Sequence, residues 1–424
     1  MKVFLDTVGC RLNQAEIESM ARQFRSGGHT IVTEPGQADL VIVNTCTVTS
    51  KAASDSRGKI RQAARAGASK ILLTGCWATL EPQAASALPN VQGVVMNNRK
   101  EYLVRDILDL PANSFAQEFQ PREPLPGLRL RTRTFIKAQD GCDCRCSFCI
   151  TSVARGKGRS RPLNDILVDI SNALLGGTKE IVLTGVHLGS WGLDFDLHLS
   201  DLIKTILNTT DVPRLRLSSL EPWDLDMEFF SLWQNPRLCR HFHLPLQSGC
   251  EATLKRMNRK TTPGLYRILL TNLRASIPQV AITTDIIAGF PAETEEEFDE
   301  TINFIREMNF AGGHVFSYSA RPGTTAAQMS GQIPLALRKI RNAALRAVLQ
   351  ESAQVYRKNF LGKTLPVLWE STTHCEAGGW QLKGLTGNYL RVTAFSPEAR
   401  WNKMDHVCLT ALVEDGMEGE IVHE

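Results

Sequence analysis

The chain has 424 residues, 43% hydrophobic and 22% charged, with a formal net charge of +4. This length exceeds one ordinary hydrophobic core, so two or three domains are expected. No apolar run is long enough to span a bilayer, and Asp6 interrupts the first apolar stretch, so we expect a strand at the start in place of a signal peptide, and a cytoplasmic protein without membrane contact.

The first third alternates strand and helix patterns. Strands are predicted at Val3–Val8, Ala38–Asn44, Lys70–Thr74 and Val91–Met96, and helices at Ala15–Arg25 and Ser50–Ala66. Strands and helices in this succession build a parallel sheet covered by helices. We therefore predict an N-terminal α/β domain with a parallel sheet over residues 1–120.

Three cysteines follow three of these strands: Cys10, Cys46 and Cys76. A single cysteine of this kind is more often a buried thiol than a ligand. Three at matching strand ends are different, because open α/β sheets bind ligands at the carboxyl edge of their strands. The chain has eleven cysteines, and in a reducing compartment they favour metal or cluster ligation over disulfides. We predict a three-thiolate site at this edge.

Prolines then mark a linker, and the domain boundary is predicted near Gly127. Strand and helix alternate again to about Tyr318, in some six βα units. This predicts a partial (βα) barrel within a domain of residues 128–358, with functional residues at the carboxyl ends of its strands.

A second cysteine set lies in one loop of this domain. Cys142, Cys146 and Cys149 give the spacing Cys-x-x-x-Cys-x-x-Cys. Thiolates are soft ligands that favour zinc or iron–sulfur clusters. Three close cysteines suit a cubane cluster with one iron open, and the spacing resembles that of the radical S-adenosylmethionine (AdoMet) enzymes. The alternative is zinc, with Cys144 as the fourth ligand; we interpret Cys144 as a non-ligand.

Polar residues stand at the predicted strand ends and are candidates for binding AdoMet. A carboxylate there can hold the amine or ribose of AdoMet, and an amide can hold its adenine or carboxylate. The alternative is that each is an ordinary polar group of a loop or core, His187 included. The cofactor-binding candidates are Phe148 in the cysteine loop and Thr184, His187, Ser219, Glu221, Gln247 and Asp285.

Positive charge concentrates around the cysteine loop. Residues 122–161 contain ten Lys or Arg against three Asp or Glu. This patch suits a polyanion such as nucleic acid, although basic runs also occur on solvated surfaces. The predicted RNA-binding residues are Arg155, Lys157, Arg159 and Arg161.

The tail begins after a predicted helix at Leu335–Lys358. Five short strands then predict a small β-barrel over residues 359–424. The residues from Phe360 onward carry five basic against nine acidic side chains, which speaks against strong binding to a phosphate backbone. Contacts through Trp380, Tyr389 or Trp401 are the alternative.

From end to end the chain resembles the methylthiotransferases, and its tail resembles their TRAM domain. The motifs that carry the resemblance are Gly9-Cys10-Arg11-Leu12-Asn13-Gln14, Asn44-Thr45-Cys46-Thr47-Val48-Thr49, Thr74-Gly75-Cys76, the cysteine loop, Pro245-Leu246-Gln247-Ser248-Gly249, Ala288-Gly289-Phe290-Pro291 and Tyr318-Ser319-Ala320-Arg321-Pro322-Gly323-Thr324.

The resemblance implies two 4Fe-4S clusters. Cys142, Cys146 and Cys149 would hold the cluster that cleaves AdoMet, and Cys10, Cys46 and Cys76 an auxiliary cluster that carries sulfur. AdoMet would serve as radical source and as methyl donor, and no side chain would act as acid or base. The implied partners are tRNA, an electron donor such as flavodoxin or ferredoxin, and a sulfur source, with the protein a monomer.

Within this family the motifs around Cys10 and Cys46 most resemble the branch that acts on C2 of N6-threonylcarbamoyladenosine, next to the anticodon of tRNA. The alternatives are the branch acting on N6-isopentenyladenosine, a radical AdoMet enzyme with a single cluster, and a non-catalytic RNA-binding protein with structural zinc.

Overall fold

A computed structural model of the chain describes residues 1–111, 114–115, 123, 132–376 and 378–422. These group into two compact units, one of residues 1–145, 149–177 and 183–197 and another of residues 146–148, 178–182 and 198–424. The predicted linker around Gly127 lies outside the described residues, and the three predicted domain ranges stay predictions. Among the described residues, every helix is too short or too polar to cross a bilayer.

The first unit opens with a five-stranded parallel sheet in the order β2-β1-β3-β4-β5. Its strands are β1 (Lys2–Thr7), β2 (Thr30–Ile31), β3 (Leu40–Thr45), β4 (Ile71–Gly75) and β5 (Val91–Val95). The helices of this region are α1 (Arg11–Ser26), α2 (Ser50–Arg65), α3 (Cys76–Leu80), α4 (Pro82–Ser86) and α5 (Leu103–Leu108), with a 3-10 helix at Asn97–Tyr102. The predicted N-terminal parallel sheet is confirmed.

Alternation along the strands gives this sheet two apolar faces, as expected when helices cover both sides. Ile42 on β3 packs in the same core as Phe24 of α1. Its neighbour Val43 belongs to the opposite core, together with Ile60 of α2 and Trp77 of α3.

The rest of the first unit carries most of the cysteine loop. It contains β6 (Arg133–Lys137), β7 (Gln139–Asp140), α6 (Thr151–Arg155), β8 (Arg159–Ser160) and α7 (Leu163–Leu175), and β9 (Glu180–Thr184) ends in it. The short strands β7 and β8 pair antiparallel and close the loop. The Ala138 amide, just after β6, donates to the Thr184 carbonyl at 2.8 Å.

The second unit continues the alternation of strand and helix. Its strands are β10 (Arg214–Leu217), β11 (His241–His243), β12 (Ala281–Ala288) and β13 (Gly312–Ser317). Its helices are α8 (Leu199–Thr209), α9 (Met227–Ser231), α10 (Glu251–Arg256), α11 (Pro263–Ser276), α12 (Glu295–Met308) and α13 (Leu335–Lys358). β11, β12 and β13 are parallel neighbours, and parallel bridges at Leu215–Leu238 and Ser219–His243 join the segments that contain β10 and β11.

The tail forms a closed five-stranded barrel in the order β14-β15-β16-β18-β17, so the predicted barrel is confirmed. Its strands are β14 (Thr364–His374), β15 (Trp380–Thr386), β16 (Arg391–Ser396), β17 (Met404–Val413) and β18 (Gly416–Ile421). Four of its five seams are antiparallel, and the fifth, between β16 and β18, is parallel with two residue pairs.

Buried arginines of β10 hold one turn of the barrel. Arg216 donates to the Thr386 carbonyl at 3.1 Å, and Glu180 accepts from its Nε at 2.7 Å. Tyr389, a predicted RNA contact, instead stacks on His241 with ring centroids 4.1 Å apart.

Candidate functional site

The first cysteine set lies at the carboxyl edge of the N-terminal sheet. Its strands β1, β3 and β4 are three consecutive neighbours. Cys10 is the N-cap of α1, Cys46 follows β3 directly, and Cys76 is the first residue of α3. Neighbouring strands lie about 4.8 Å apart, so the sheet alone brings the three chain segments together.

Two glycines keep this edge compact. A Cβ at Gly9 would lie 2.5 Å from the Cys46 Sγ, and one at Gly75 would lie 2.2 Å from the Thr45 carbonyl oxygen. Both residues have positive φ, +102° and +97°, a conformation that glycine adopts without strain. The absence of these two side chains lets the cysteine-bearing turns approach one another.

Hydrogen bonds from the surrounding helices fix the cysteines. The Cys46 amide donates to Ser56 Oγ at 3.0 Å, and Asn97 Nδ2 lies 3.7 Å from the Cys76 Sγ. Burial raises the pKa of the Cys46 thiol to about 11. A metal that binds there must therefore displace a proton.

Three soft donors on a glycine-lined edge fit a thiolate-bound iron–sulfur cluster. All three cysteines are free of disulfides, and Cys46 and Cys76 are buried while Cys10 is exposed. A cluster spaces its cysteines further apart than a single ion does, which suits thiols arriving from separate strand ends.

Of the three cysteines in the cysteine loop, Cys142 and Cys149 belong to the first unit. The Cys142 amide donates to the Gly156 carbonyl at 3.1 Å. A Cβ at Gly141 would lie 1.9 Å from the Lys157 carbonyl oxygen, so glycine is required there. The close Cys144 side chain, with burial as the second cause, raises the pKa of the Cys142 thiol.

Cys144 lies beside His187. The Cys144 Sγ is 3.8 Å from the His187 Nδ1, and the Cys144 amide donates to the Cys142 Sγ at 3.4 Å. The donor atoms of these three residues lie within 4.8 Å of one another, close enough to hold a single ion such as zinc. His187, a predicted AdoMet contact, is thus placed against the one loop cysteine that the sequence leaves without a role.

Cys146 and Phe148 lie in the second unit. Arg259 Nη1 is 3.7 Å from the Cys146 Sγ, and Arg259 Nη2 pairs with Glu221 at 2.7 Å. Phe148 packs edge-to-face on Phe290 with centroids 6.5 Å apart. Arg259 is a site residue that the sequence analysis missed, because nothing in the local pattern around it points to a sulfur contact.

Of the polar candidates of the second unit, Ser219 and Gln247 follow the carboxyl ends of β10 and β11, and Asp285 lies within β12. Asp285 Oδ2 lies 3.2 Å from His243 Nε2. The main-chain N–H of Gln247 donates to the main-chain carbonyl of Asp285 at 2.8 Å. The main chain of Ser219 forms an isolated parallel β-bridge with that of His243. Among the described residues, Asp285 Oδ1 and the Ser218 hydroxyl are buried without a hydrogen-bond partner. Unpaired buried polar atoms at one edge fit a polar ligand such as AdoMet.

Thr184 lies at a strand end, as predicted from the sequence, whereas the surroundings of Arg155 differ from the prediction. Thr184 is buried at the end of β9 in the first unit. Arg155, predicted to bind RNA, is 3% exposed and forms ion pairs with Glu16 and Asp140 at 2.9 Å each. The prediction that Arg155 contacts a phosphate is wrong, because its guanidinium is buried and paired with two carboxylates.

The neighbouring basic residues divide into two kinds. Lys157 and Arg159 are exposed, as an RNA contact requires. Arg161 pairs with Asp169 at 2.8 Å and donates to the Lys137 carbonyl at 2.9 Å, which leaves its guanidinium little capacity for a ligand.

Comparisons with known proteins agree with this layout. Residues 2–96 match the model of "Uncharacterized protein family UPF0004", and residues 136–305 match that of the "Radical SAM superfamily". The threonylcarbamoyladenosine tRNA methylthiotransferase MtaB of Thermotoga maritima is 37% identical, covering 87% of this chain and 86% of that protein. MtaB of Bacillus subtilis is 34% identical, with 92% and 89% covered. The chain belongs to the radical AdoMet methylthiotransferases.

A methylthiotransferase of another branch is also similar. The tRNA-2-methylthio-N(6)-dimethylallyladenosine synthase of Geobacillus thermodenitrificans is 31% identical, with 100% of this chain and 84% of that protein covered. Among solved structures, the radical AdoMet methyltransferase TsrM of Kitasatospora setae has a TM-score of 0.58 at 15% identity, with 77% of each chain covered. That likeness shows the shared fold.

Membership of the family makes this protein an enzyme of the transferase type that uses 4Fe-4S clusters and AdoMet. The two cysteine sets lie one in each of the two matched regions. The strand-end cysteines belong to the first region and the loop cysteines to the second.

Proposed function

We propose that this methylthiotransferase modifies C2 of N6-threonylcarbamoyladenosine next to the anticodon of tRNA. The observation that carries the proposal is the similarity, over nearly the whole length of each chain, to proteins named for that reaction. The tRNA N6-isopentenyladenosine reaction is the alternative, because relatives named for the dimethylallyl (isopentenyl) reaction cover this chain fully at 31% identity.

The cysteines divide between two clusters in this proposal. Cys142, Cys146 and Cys149 would hold the first 4Fe-4S cluster, and Cys10, Cys46 and Cys76 the second. Bound there, the groups would supply reductive cleavage of AdoMet and the sulfur and methyl of the transferred group.

The chain's own residues orient these groups. Arg259 places a guanidinium between the Cys146 thiol and Glu221, so Glu221 acts through Arg259. Gln247, after β11, and Asp285, within β12, supply polar atoms for AdoMet, with Ser219, Thr184, Phe148 and His187 as further candidates. Lys157 and Arg159 are left as the exposed cations that contact tRNA phosphates.

The electron donor is proposed to be a flavodoxin or ferredoxin, and a separate sulfur source must resupply the second cluster. The protein is proposed to act as a monomer. Protein prepared without oxygen should contain about eight irons per chain, four for each cluster. A zinc-containing, colourless protein would support the RNA-binding alternative instead.

Mass spectrometry of tRNA nucleosides tests the substrate. Cells lacking the gene should lose 2-methylthio-N6-threonylcarbamoyladenosine, and a plasmid copy should restore it. The matched control is a plasmid copy carrying Cys46→Ala, which should not restore it. Loss of the 2-methylthio isopentenyl nucleoside instead would replace the proposed substrate with the alternative one.

A further inference from the structure

A buried ionic network lies beside the strand-end cysteines, centred on Glu16 of α1. Glu16 accepts from Lys100 Nζ at 2.8 Å and from Arg155 Nη1 at 2.9 Å. Asp140 pairs with Arg155 at 2.9 Å and with Lys137 at 2.7 Å. All five side chains are less than 10% exposed. Two more exposed charges join its edge, since Lys137 pairs with Glu101 at 3.0 Å and Arg159 lies 3.9 Å from Asp140.

Arg155 brings this network to the cysteine loop. It is the last residue of α6, the short helix that follows Cys149. Its Nη2 donates to Asn13 Oδ1 at 2.7 Å, and Asn13 Nδ2 donates to the Val8 and Thr45 carbonyls at 2.8 and 3.1 Å. These carbonyls precede Cys10 and Cys46, so one guanidinium is connected to two of the strand-end turns.

A second connection runs through Asn97. Its Nδ2 donates to the carbonyl of Ala154, the neighbour of Arg155, at 2.8 Å, and lies 3.7 Å from the Cys76 Sγ. The end of α6 is therefore hydrogen-bonded to all three cysteine-bearing turns, through Asn13 for two of them and Asn97 for the third.

Such a network is a costly way to gain stability, because apolar side chains of similar volume often serve as well as a buried ion pair. The network does provide geometric specificity, since a guanidinium that forms several charge-assisted hydrogen bonds can adopt few orientations. A device of this kind is suited to fixing one chain segment against another.

We propose that Arg155 is a positioning residue that fixes the segment following the cysteine loop against the strand-end cysteines. The inference rests on the proposed function, in which one cluster activates AdoMet and the other carries the group to be transferred. With Arg155 in place, AdoMet cleavage is coupled to methylthio transfer. Without it, cleavage continues while transfer fails.

The uncoupled turnover has a defined product. Each AdoMet cleaved takes one electron from the supplied reductant and gives methionine and a 5′-deoxyadenosyl radical. When that radical does not take a hydrogen atom from tRNA, it takes one from the reductant or buffer and ends as 5′-deoxyadenosine. The ratio of methylthio nucleoside to 5′-deoxyadenosine therefore measures the coupling.

The experiment compares wild type, Arg155→Met, Arg155→Lys and Arg216→Met as anaerobic, iron-loaded enzymes. Arg216→Met is the matched control, since it also breaks a buried ion pair, with Glu180, and neither residue of that pair is bonded to a cysteine-bearing turn in the part of the chain that the structure describes. We expect Arg155→Met to keep its iron while the product ratio falls about tenfold or more, as misplacement of reacting groups does. Arg155→Lys should give a ratio of methylthio nucleoside to 5′-deoxyadenosine between those of Arg155→Met and wild type. Arg216→Met should give the wild-type ratio.

Hydrogen exchange supplies a readout independent of activity. In Arg155→Met, amides of residues 150–156 should exchange at least about tenfold faster than in wild type, and those of Arg216→Met should not. A wild-type ratio together with unchanged exchange in Arg155→Met would overturn the proposal. If Arg155→Met cannot be purified folded, Arg155→Lys decides: an unaltered ratio and exchange in that variant also overturns it.

The two proposals fail differently. If wild-type enzyme makes no methylthio nucleoside on any tRNA, the proposed function fails, and the exchange result alone decides whether Arg155 positions α6. If wild type is active and its ratio survives Arg155→Met, only the positioning role is lost.

Discussion

Each of the two cysteine sets contains three thiols, but the thiols of the two sets are brought together in different ways. Cys142, Cys146 and Cys149 lie within eight consecutive residues of one loop. Cys10, Cys46 and Cys76 come from three segments and meet because β1, β3 and β4 are adjacent in the sheet. The loop set depends on spacing and the strand-end set on topology. Removing a residue from each should therefore affect different parts of the reaction.

The largest effect is expected from removing one thiol of each set. Cys142→Ala should lower the iron content by about four per chain and abolish AdoMet cleavage. Cys46→Ala should also remove about four irons but leave AdoMet cleavage measurable while methylthio transfer is lost. Iron analysis and chromatography of 5′-deoxyadenosine distinguish the two variants. Wild-type iron in Cys46→Ala would refute the strand-end cluster.

A glycine of each region provides the next test. Gly75→Ala and Gly141→Ala place a Cβ 2.2 Å and 1.9 Å from a backbone oxygen, at φ values of +97° and +72°. Each should lower the free energy of unfolding by roughly 2–4 kcal/mol, measured by chemical denaturation.

Gly58, in the middle of α2, is the matched control for these substitutions. A Cβ there meets nothing within 4 Å. Gly58→Ala should therefore stabilise the protein by roughly 0.5–1 kcal/mol. Equal destabilisation by all three variants would mean that close approach is not what the two positions require.

Acid should affect the strand-end region through its ionic network. Burial alone would raise the pKa of Glu16, but Arg155, Lys100 and Lys137 hold it well below the usual range, and Lys137 and Arg155 likewise lower the pKa of Asp140 against its burial. A carboxyl whose pKa is depressed by folding stabilises the fold fully above its unfolded pKa, and this stabilisation is lost progressively as the pH falls from the unfolded pKa through the lower folded pKa.

Denaturation at pH 7, 5 and 4 and below measures this loss. The free energy of unfolding should fall as the pH drops below the unfolded Glu value of 4.5. Glu16→Gln should start less stable at pH 7 and show a flatter dependence on pH. An unchanged acid profile in that variant would show that Glu16 does not contribute as a carboxylate.

The smallest effect is expected at the surface beside the cysteine loop. Lys157→Ala with Arg159→Ala should weaken tRNA binding about tenfold and make its dependence on salt concentration shallower by about two counterions. Lys51→Ala with Arg61→Ala removes two exposed cations of α2 and serves as the control. Equal losses in both double variants would indicate a general charge effect in place of a defined RNA surface.

The sequence predicts elements whose signal is periodic or local. The bounds of α13, Leu335–Lys358, agree with the structure because its helical pattern is long and uninterrupted. The strand-end cysteines were predictable because parallel strands end at a common edge. Helix α1 begins at Arg11, earlier than the predicted start at Ala15, and its first turn already buries Leu12.

Long-range pairing of side chains was not predictable in this way. Arg155 stands in a basic, glycine-containing run that has the composition of an exposed loop. Its partners Glu16 and Asp140 lie elsewhere in the chain, and no periodicity links an arginine to a distant carboxylate. Arg259 and Asn97 were missed for the same reason, since each acts on a cysteine far away in sequence.

The parallel seam between β16 and β18 is the weakest part of the C-terminal barrel's hydrogen-bonded wall. β16 and β18 share two residue pairs, whereas the antiparallel seams are longer. Parallel pairing is also slightly weaker per residue. Local opening of the barrel should therefore start at this seam. It would transiently expose the edges of β16 and β18, which barrel closure otherwise protects from pairing with other chains.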